Sequence, residues 1–360
     1  MNLLVPNLGS TSLKYQILEM PSEKVLGKGR YERVRDYHEA IEQIRMGGVA
    51  VDAVAFKAVH GGPRYVGTYV IDDDVLLALH EFAPAAPAHN AIYLAAIRAF
   101  RESLPGVPLV AAFEPEFHAT MPGYARWYGV PAEWLADGVR KYGFHGASHR
   151  YVAERVAEML GRQTRLVSCH LGGSSSICAI DRGRSIDTTM GFSPQSGLEN
   201  ATRHGDLDVF AVLFMMERRG WTCEEVRRQL AEGGGLAGLS GIKGGDVRDL
   251  EQAAAQGNAR AKEALQVFAY QVKKTIGAFA AAMGGLDALA FTGGIGENSA
   301  RLRAAWCQGL EFLGIELDAE TNARGTGDRV VSNGKVAVLA LATNEEVIVA
   351  RRAYRVLCGA

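Results

Sequence analysis

The sequence is poor in several things, and each shortage removes a class of function. Its five cysteines, Cys169, Cys178, Cys223, Cys307 and Cys358, are scattered, odd in number and free of any CxxC pair. They read as reduced thiols, neither disulfide staples nor zinc ligands. Charge of one sign is also lacking: 39 Lys and Arg stand against 40 Asp and Glu, so the count gives no basic face for nucleic acid. No apolar run approaches the roughly 20 residues that span a bilayer. The amino terminus has neither the basic start nor the apolar core of a signal peptide. The expectation is a soluble, cytoplasmic protein with no membrane or nucleic-acid partner. No GxxxxGK[ST] loop occurs, and Gly294-Ile295-Gly296 lacks the third glycine of the dinucleotide fingerprint, which disfavours a dehydrogenase.

What is present starts with a repeat. Leu3 to Leu18 and Leu166 to Ile180 both run apolar strand, Gly/Ser turn, apolar strand. Gly and Ser also make ordinary turns, but two copies separated by almost half the chain suggest two similar folds facing one cleft. The small turn residues Gly9, Ser10, Ser12 and Gly172, Gly173, Ser174 to Ser176 let backbone N–H groups and hydroxyls approach an anion. A third glycine turn, Gly293 to Asn298, follows the strand Ala288–Thr292 and leads into a helical stretch from Ser299 to Leu313, a strand–turn–helix order that suits a nucleotide. At 360 residues and 48% hydrophobic content, two domains with their own cores are expected.

Along the chain, Asp36 to Met46 reads as a helix stopped by Gly47-Gly48. Lys57 sits inside the apolar strand Ala53–Val59, either at a solvent face or aimed into a cleft. His89 opens a helix, as its cap or as a site residue. Glu114 ends the buried strand Leu109–Phe113, where open α/β sheets bind ligands. Arg140 to Arg150 packs three cations and two histidines into eleven residues, so one or more should meet an anion, and Ser148 is placed as the cap of a helix from His149 to Leu160. Arg203 precedes the apolar helix Val209–Met216 and suits a phosphate or carboxylate clamp. Gly233 to Gly245 reads as a flexible lid or a surface loop. Asn258 to Met283, with Leu265, Phe268, Val272, Ile276 and Phe279, is the clearest amphipathic helix. Glu345 opens the last helix, ordinarily a capping position.

Taken together, Asn7 to Gln16, Val59 to Gly62, Arg140 to Arg150, Cys169 to Gly172, Asp187 to Phe192, Thr202-Arg203, Ala282 to Asp287, Gly294 to Asn298 and Thr343 to Glu346 resemble the acetate kinase and propionate kinase (acetokinase) family, of which the chain looks like a divergent member. The resemblance implies an α/β, duplicated actin/Hsp70/sugar-kinase-like (ribonuclease H-like) fold, with two domains around a nucleotide cleft: 1–115 plus 346–360, and 116–345. It implies ATP as co-substrate and Mg2+, with direct, reversible transfer of the γ-phosphoryl group to a short-chain carboxylic acid, giving acyl phosphate and ADP. It implies catalytic roles for Glu114, His145, Arg203 and Lys57, and an acid site of Lys57, Val59, Ala88, His89, Phe144 and Pro194. The nucleotide would meet Ser10, Ser12, Lys14, His170, Gly172, Gly173, Asp246, Val247, Arg248, Gly294, Ile295, Gly296, Glu297 and Asn298. Asn7 and Glu345 would hold the metal. A homodimer is implied, for which the Val209–Met216 and Leu265–Phe279 helices offer either a surface or buried core.

Four departures from the family pattern stand out. Lys57 replaces an arginine and cannot form its bidentate fork. Glu114 replaces an aspartate one methylene shorter. Gly173 replaces an asparagine, removing a side-chain donor to phosphate. Ala88 replaces a leucine and should widen the acyl pocket, so an acid larger than acetate, or poor acetate turnover, is expected. The alternatives are another phosphotransferase of this fold, with a different acid or with pyrophosphate, and a catalytically weak nucleotide-binding module.

Overall fold

The repeat that is visible in two hairpins extends to two whole sheets. The computed structural model describes residues 1–9, 12–34, 36–87 and 89–359. Ser10 and Ala88, both expected at the site, lie outside the described residues. The first sheet comprises β1 (Asn2–Leu8), β2 (Ser12–Glu19), β3 (Lys24–Glu32), β4 (Ala53–Ala58), β5 (Thr68–Val70) and β6 (Leu109–Phe113), in the order β3-β2-β1-β4-β6-β5. The second comprises β7 (Arg165–His170), β8 (Ser176–Asp181), β9 (Arg184–Thr188), β10 (Ala288–Thr292), β11 (Arg329–Val330) and β12 (Ala337–Ala340), and from its opposite edge it reads β9-β8-β7-β10-β12-β11. In both sheets three antiparallel strands join two parallel ones, and the closing edge strand is antiparallel. Even the irregularity recurs: the register shifts at Ile17/Leu18 and again at Ala179/Ile180. This is a duplicated α/β fold.

The central strands explain themselves. β6 (LVAAF) and β10 (ALAFT) are apolar and buried along their whole length, as parallel strands covered on both faces must be. Alternate residues feed opposite layers. Phe56, Ala111 and Phe113 join Tyr93, Ile97 and Phe100 of the Asn90–Ser103 helix on one face of the first sheet, while Ala55, Val110 and Ala112 meet Val347, Ile348 and Ala350 on the other. That second face is covered by the Glu345–Cys358 helix, which follows β12 of the other sheet. Conversely, the Gly146–Leu160 helix follows the first sheet but packs Val152, Ala153 and Val156 on the second. These two exchanged helices bring the carboxyl ends of β1, β4, β6, β7, β10 and β12 toward one another.

Several local expectations need correction. Ser148 is not a cap: the helix begins at Gly146, with His145 at the N-cap position in the left-handed region, φ +57°. The chain turns early because Gly146 passes the Glu114 carbonyl so closely that a Cβ would stand 2.0 Å from its oxygen. His89 precedes its helix without a side-chain cap bond, which removes the capping alternative. Gly235–Ser240 is a helix inside the supposed loop. The glycine turn Gly293–Asn298 is itself helical, and the next helix, Ala300–Cys307, stops short of Leu313 because Gln308 leaves the helical region at ψ 124° and Gly309 then turns left-handed at φ +77°. Leu265, Phe268, Val272, Ile276 and Phe279 are core. The Val209–Arg219 helix, by contrast, has no buried residue, and Phe210 and Phe214 are 73% and 57% exposed. Among the described residues no helix is long and apolar enough to cross a membrane, and the five cysteines are free.

Candidate active site

The first sheet supplies a buried charge cluster. Lys57, near the end of β4, hydrogen-bonds through Nζ to the Glu345 carboxylate at the start of the last helix. Burial opposes the Lys57 charge, but Glu345 and Glu114 more than offset it, so its pKa is raised. Burial likewise opposes the charge on Glu345, yet Lys57 and then His170 hold its pKa below the usual value. Glu114 directly follows β6, is 3% exposed, and both of its carboxylate oxygens lack a hydrogen-bond partner among the described residues. Burial raises its pKa to about 7, with Glu345 pushing the same way and Lys57 resisting. Lys57 thus binds Glu345 directly and acts on Glu114 through space.

Arg203 is the complementary feature. Its Nη1 donates to the Pro194 carbonyl at 2.9 Å, and among the described residues it has no carboxylate partner. Burial lowers its pKa to about 10, still a cation at neutral pH. Its turn is sewn to the β7–β8 hairpin: Ala201 N–H donates to the Gly173 carbonyl at 3.1 Å, and Ser175 N–H donates to Asn200 Oδ1. The turn that carries Arg203 is therefore hydrogen-bonded to the hairpin tip at two points. His89 and His145 feel both cations. Burial, then Arg203 and Lys57, drop His89 to about 4, and its Nδ1 is buried without a partner. His145 lies well below the ordinary histidine range through burial first and His170 second, with Lys57 and Arg203 adding to it. His145 and His170 lie against each other, centroids 4.4 Å apart and ring planes tilted by 31°, and His170 Nδ1 is 2.7 Å from Ser148 Oγ.

The acid-site candidates Val59, Phe144 and Pro194 are all buried. Phe144 and Phe192 both touch the His60 ring, whose Nε2 bonds the Phe192 carbonyl at 2.8 Å. Burial drops His60 to about 4, so this ring is a neutral wall. The charges of the Arg140–Arg150 segment mostly meet the chain's own groups: Lys141 pairs with Asp187 at 2.7 Å, Arg150 with Glu154 at 3.0 Å, and Arg140 lies over Tyr142.

The nucleotide candidates divide. Gly172, Gly173, Asp246, Val247, Arg248, Gly294, Ile295 and Asn298 line one cavity of about 980 Å³ on the second sheet's side. Sequence reasoning missed its other walls, among them Leu236, Gly245, Glu251 and Arg301. They come from the glycine-rich stretch, from the middle of the Val247–Ala255 helix and from the start of the Ala300–Cys307 helix, where composition gives no sign of which residues face a cleft. Gly296 is buried behind the turn, and Glu297 Oε1 accepts from Gly293 N–H at 3.1 Å, holding the turn together. Lys14 is elsewhere: it is exposed on β2 and lines a shallow surface hollow with Lys28, Arg30 and Glu346. Ser12 accepts from Gly9 N–H through its carbonyl at 2.8 Å and closes the first hairpin turn. Asn7 donates to the Glu346 carboxylate at 3.2 Å, next to Glu345. Among the described residues no three His, Cys, Asp or Glu side chains gather into a metal cage. The oxygen donors of Asn7, Glu345 and Glu346 do fit a hard divalent ion that brings phosphate and water ligands of its own.

The acetokinase family's sequence profile matches residues 36–351. An acetate kinase from Geobacillus sp. strain WCH70 is 43% identical over 391 residues, covering 98% of each chain. Among solved structures, Porphyromonas gingivalis acetate kinase superposes with a TM-score of 0.88 at 35% identity, covering 99% of each chain. A propionate kinase from Francisella tularensis gives 0.89 at 32% identity over 98% of each.

Proposed function

The chain belongs to the acetokinase family, and from that premise we propose that its cleft carries the γ-phosphoryl group of ATP straight to a short-chain carboxylic acid, with Arg203 and His145 facing the group in transit. It is an acetate-kinase-like phosphotransferase with a carboxyl group as acceptor. A carboxylate oxygen attacks the γ-phosphorus in line, the new O–P bond makes the acyl phosphate, and the bond to the β-phosphate oxygen breaks to release ADP.

The observation that carries the assignment is the unpaired Arg203 guanidinium. Held by the Pro194 carbonyl and tied to the phosphate hairpin, it is a preorganised cation with no carboxylate of its own among the described residues. Such a group stabilises charge that develops on a moving phosphoryl without reorganising. His89, neutral, presents a further ring at the same place. The roughly 980 Å³ cavity would take the nucleoside end. Asn7, Glu345 and Glu346 would hold Mg2+, which when bound offsets charge on the phosphates. Lys57 then has two tasks, neutralising Glu345 and attracting the acid's carboxylate, while Val59, Phe144 and Pro194 would enclose its alkyl tail. Ala88 for leucine argues for an acid larger than acetate. The proposed division is 1–115 with 346–360 against 116–345, supported by the packing of the last helix on the first sheet. The exposed apolar helix Val209–Arg219 supports a homodimer formed through the second half of the chain.

Hydroxylamine trapping with Mg-ATP and a series of straight and branched short acids tests the reading. Acyl hydroxamate from acids longer than acetate supports it in full. Preference for acetate would keep the chemistry and refute the widened pocket. No product from any acid, with ATP still bound, would favour a binding module.

A further inference from the structure

We propose that His149, together with Ser168 and Ser176, is a positioning unit that fixes His145 in the tautomer carrying its hydrogen on Nε2, the nitrogen turned toward the cleft. The basis is an unbroken row of hydrogen bonds. Ser168 Oγ lies 2.9 Å from His149 Nδ1, His149 Nε2 lies 2.8 Å from Ser176 Oγ, Ser176 Oγ lies 2.8 Å from His145 Nδ1, and His145 Nε2 lies 3.1 Å from Ser174 Oγ. Ser168, His149 and Ser176 are fully buried, whereas His145 and Ser174 are half-buried at the cleft.

A neutral imidazole has one donor and one acceptor nitrogen, and each hydroxyl has one hydrogen to give. The row can therefore be polarised in three ways, and the one in which Ser176 accepts from both rings strands its own buried O–H, which has no other partner among the described residues. If every hydrogen points inward, the last one sits on Ser168, whose Oγ has no hydrogen-bond partner among the described residues other than His149. That would leave a buried O–H unpaired, the expensive outcome. If every hydrogen points outward, Ser168 donates to His149 Nδ1, His149 donates from Nε2 to Ser176, and Ser176 donates to His145 Nδ1. His145 must then carry its hydrogen on Nε2. Burial keeps both imidazoles neutral, with His170 adding to the effect at each and His118 at His149, so the one-donor count applies.

The same rule acts on the neighbouring ring. Ser148 is fully buried, and its hydroxyl meets His170 Nδ1, so His170 also turns an Nε2–H outward. The tilted pair thus faces the cleft as two uncharged donors. With His145 donating to it, Ser174 keeps its own O–H free beside Gly173, where the side-chain donor is missing.

The inference rests on His145 facing the phosphoryl group, but its main test does not. Histidine-selective 15N labelling of the whole protein reads the tautomer directly, with the His145 signals assigned by their loss in His145→Gln. The expected result is Nε2–H in the wild type. Ser168→Ala should release the bias, giving a mixture with Nδ1–H, and lower kcat on the order of tenfold with KM values nearly unchanged. Ser168→Thr, which restores the hydroxyl, should restore both. Nδ1–H in the wild type, or an unchanged tautomer in Ser168→Ala, would overturn the proposal. A tautomer shift with no kinase activity in any form would leave the row standing and sink the functional reading instead.

Discussion

Lys57→Met is the perturbation with the most to say about this site. The Lys57 and Glu345 side chains are only 20% and 12% exposed, and Glu114 nearby has no hydrogen-bond partner among the described residues. Removing one partner from a buried ion pair costs about 3 to 5 kcal/mol because the other charge is left without compensation. Here the lower figure, about 3 kcal/mol, applies, because a fifth of Lys57 still meets solvent and His170 also favours the Glu345 charge. Glu345→Gln alone should cost a comparable amount by stranding Lys57. The double variant removes both charges and should fall no more than about 4 kcal/mol below wild type, so the coupling is at least about 2 kcal/mol. Urea unfolding followed by tryptophan fluorescence and by circular dichroism measures it, given coincident transitions. Additivity of the two single effects to within about 0.5 kcal/mol would show that the ion pair does not couple these residues.

Other outcomes follow from the same geometry. Arg203→Gln should lower kcat by about 10² to 10³, the scale of one preorganised donor, in the hydroxamate assay, and Arg203→Lys should recover part of it, since lysine returns the charge without the fork. Arg165 clasps Asp287 through three contacts of 2.9 to 3.1 Å, and its side-chain hydrogen bond lowers the Asp287 pKa to about 2. A carboxylate depressed on folding contributes stability that is whole above its unfolded pKa and lost as pH falls through the folded one. Asp287→Asn should therefore cost about 1 to 2 kcal/mol at pH 7, after allowance for screening, and nearly nothing below about pH 2; urea midpoints compared across pH read the difference. Phe210→Asp with Phe214→Asp should leave the fold intact, since neither is buried, yet yield monomers by sedimentation equilibrium.

The sequence made much of this legible. The Gly/Ser hairpins, the buried runs of β6 and β10, and the motif series from Asn7 to Glu346 carry information locally, because turn chemistry and strand burial are written in adjacent residues. Arg203 was legible for the same reason, as a lone cation in a small-residue turn. Lys57 was only half legible: an apolar strand with one lysine does not say which way it points. The Ser148 cap failed because the close approach of Gly146 to the Glu114 carbonyl, 32 residues away in the chain, moved the helix start.

By itself, then, the sequence determined the duplication, the secondary elements of the central strands, and the residue types gathered for phosphoryl chemistry, since each depends on spacing within a few residues. Tertiary structure decided what no local pattern encodes. Exchange of the Gly146–Leu160 and Glu345–Cys358 helices between the sheets brought Lys57 to Glu345 across 288 residues. The folding of β7 beside the Gly146–Leu160 helix set Ser168 behind His149 and so oriented His145. A buried charge or hydroxyl must find its partner wherever packing provides one, and packing is a property of the whole chain.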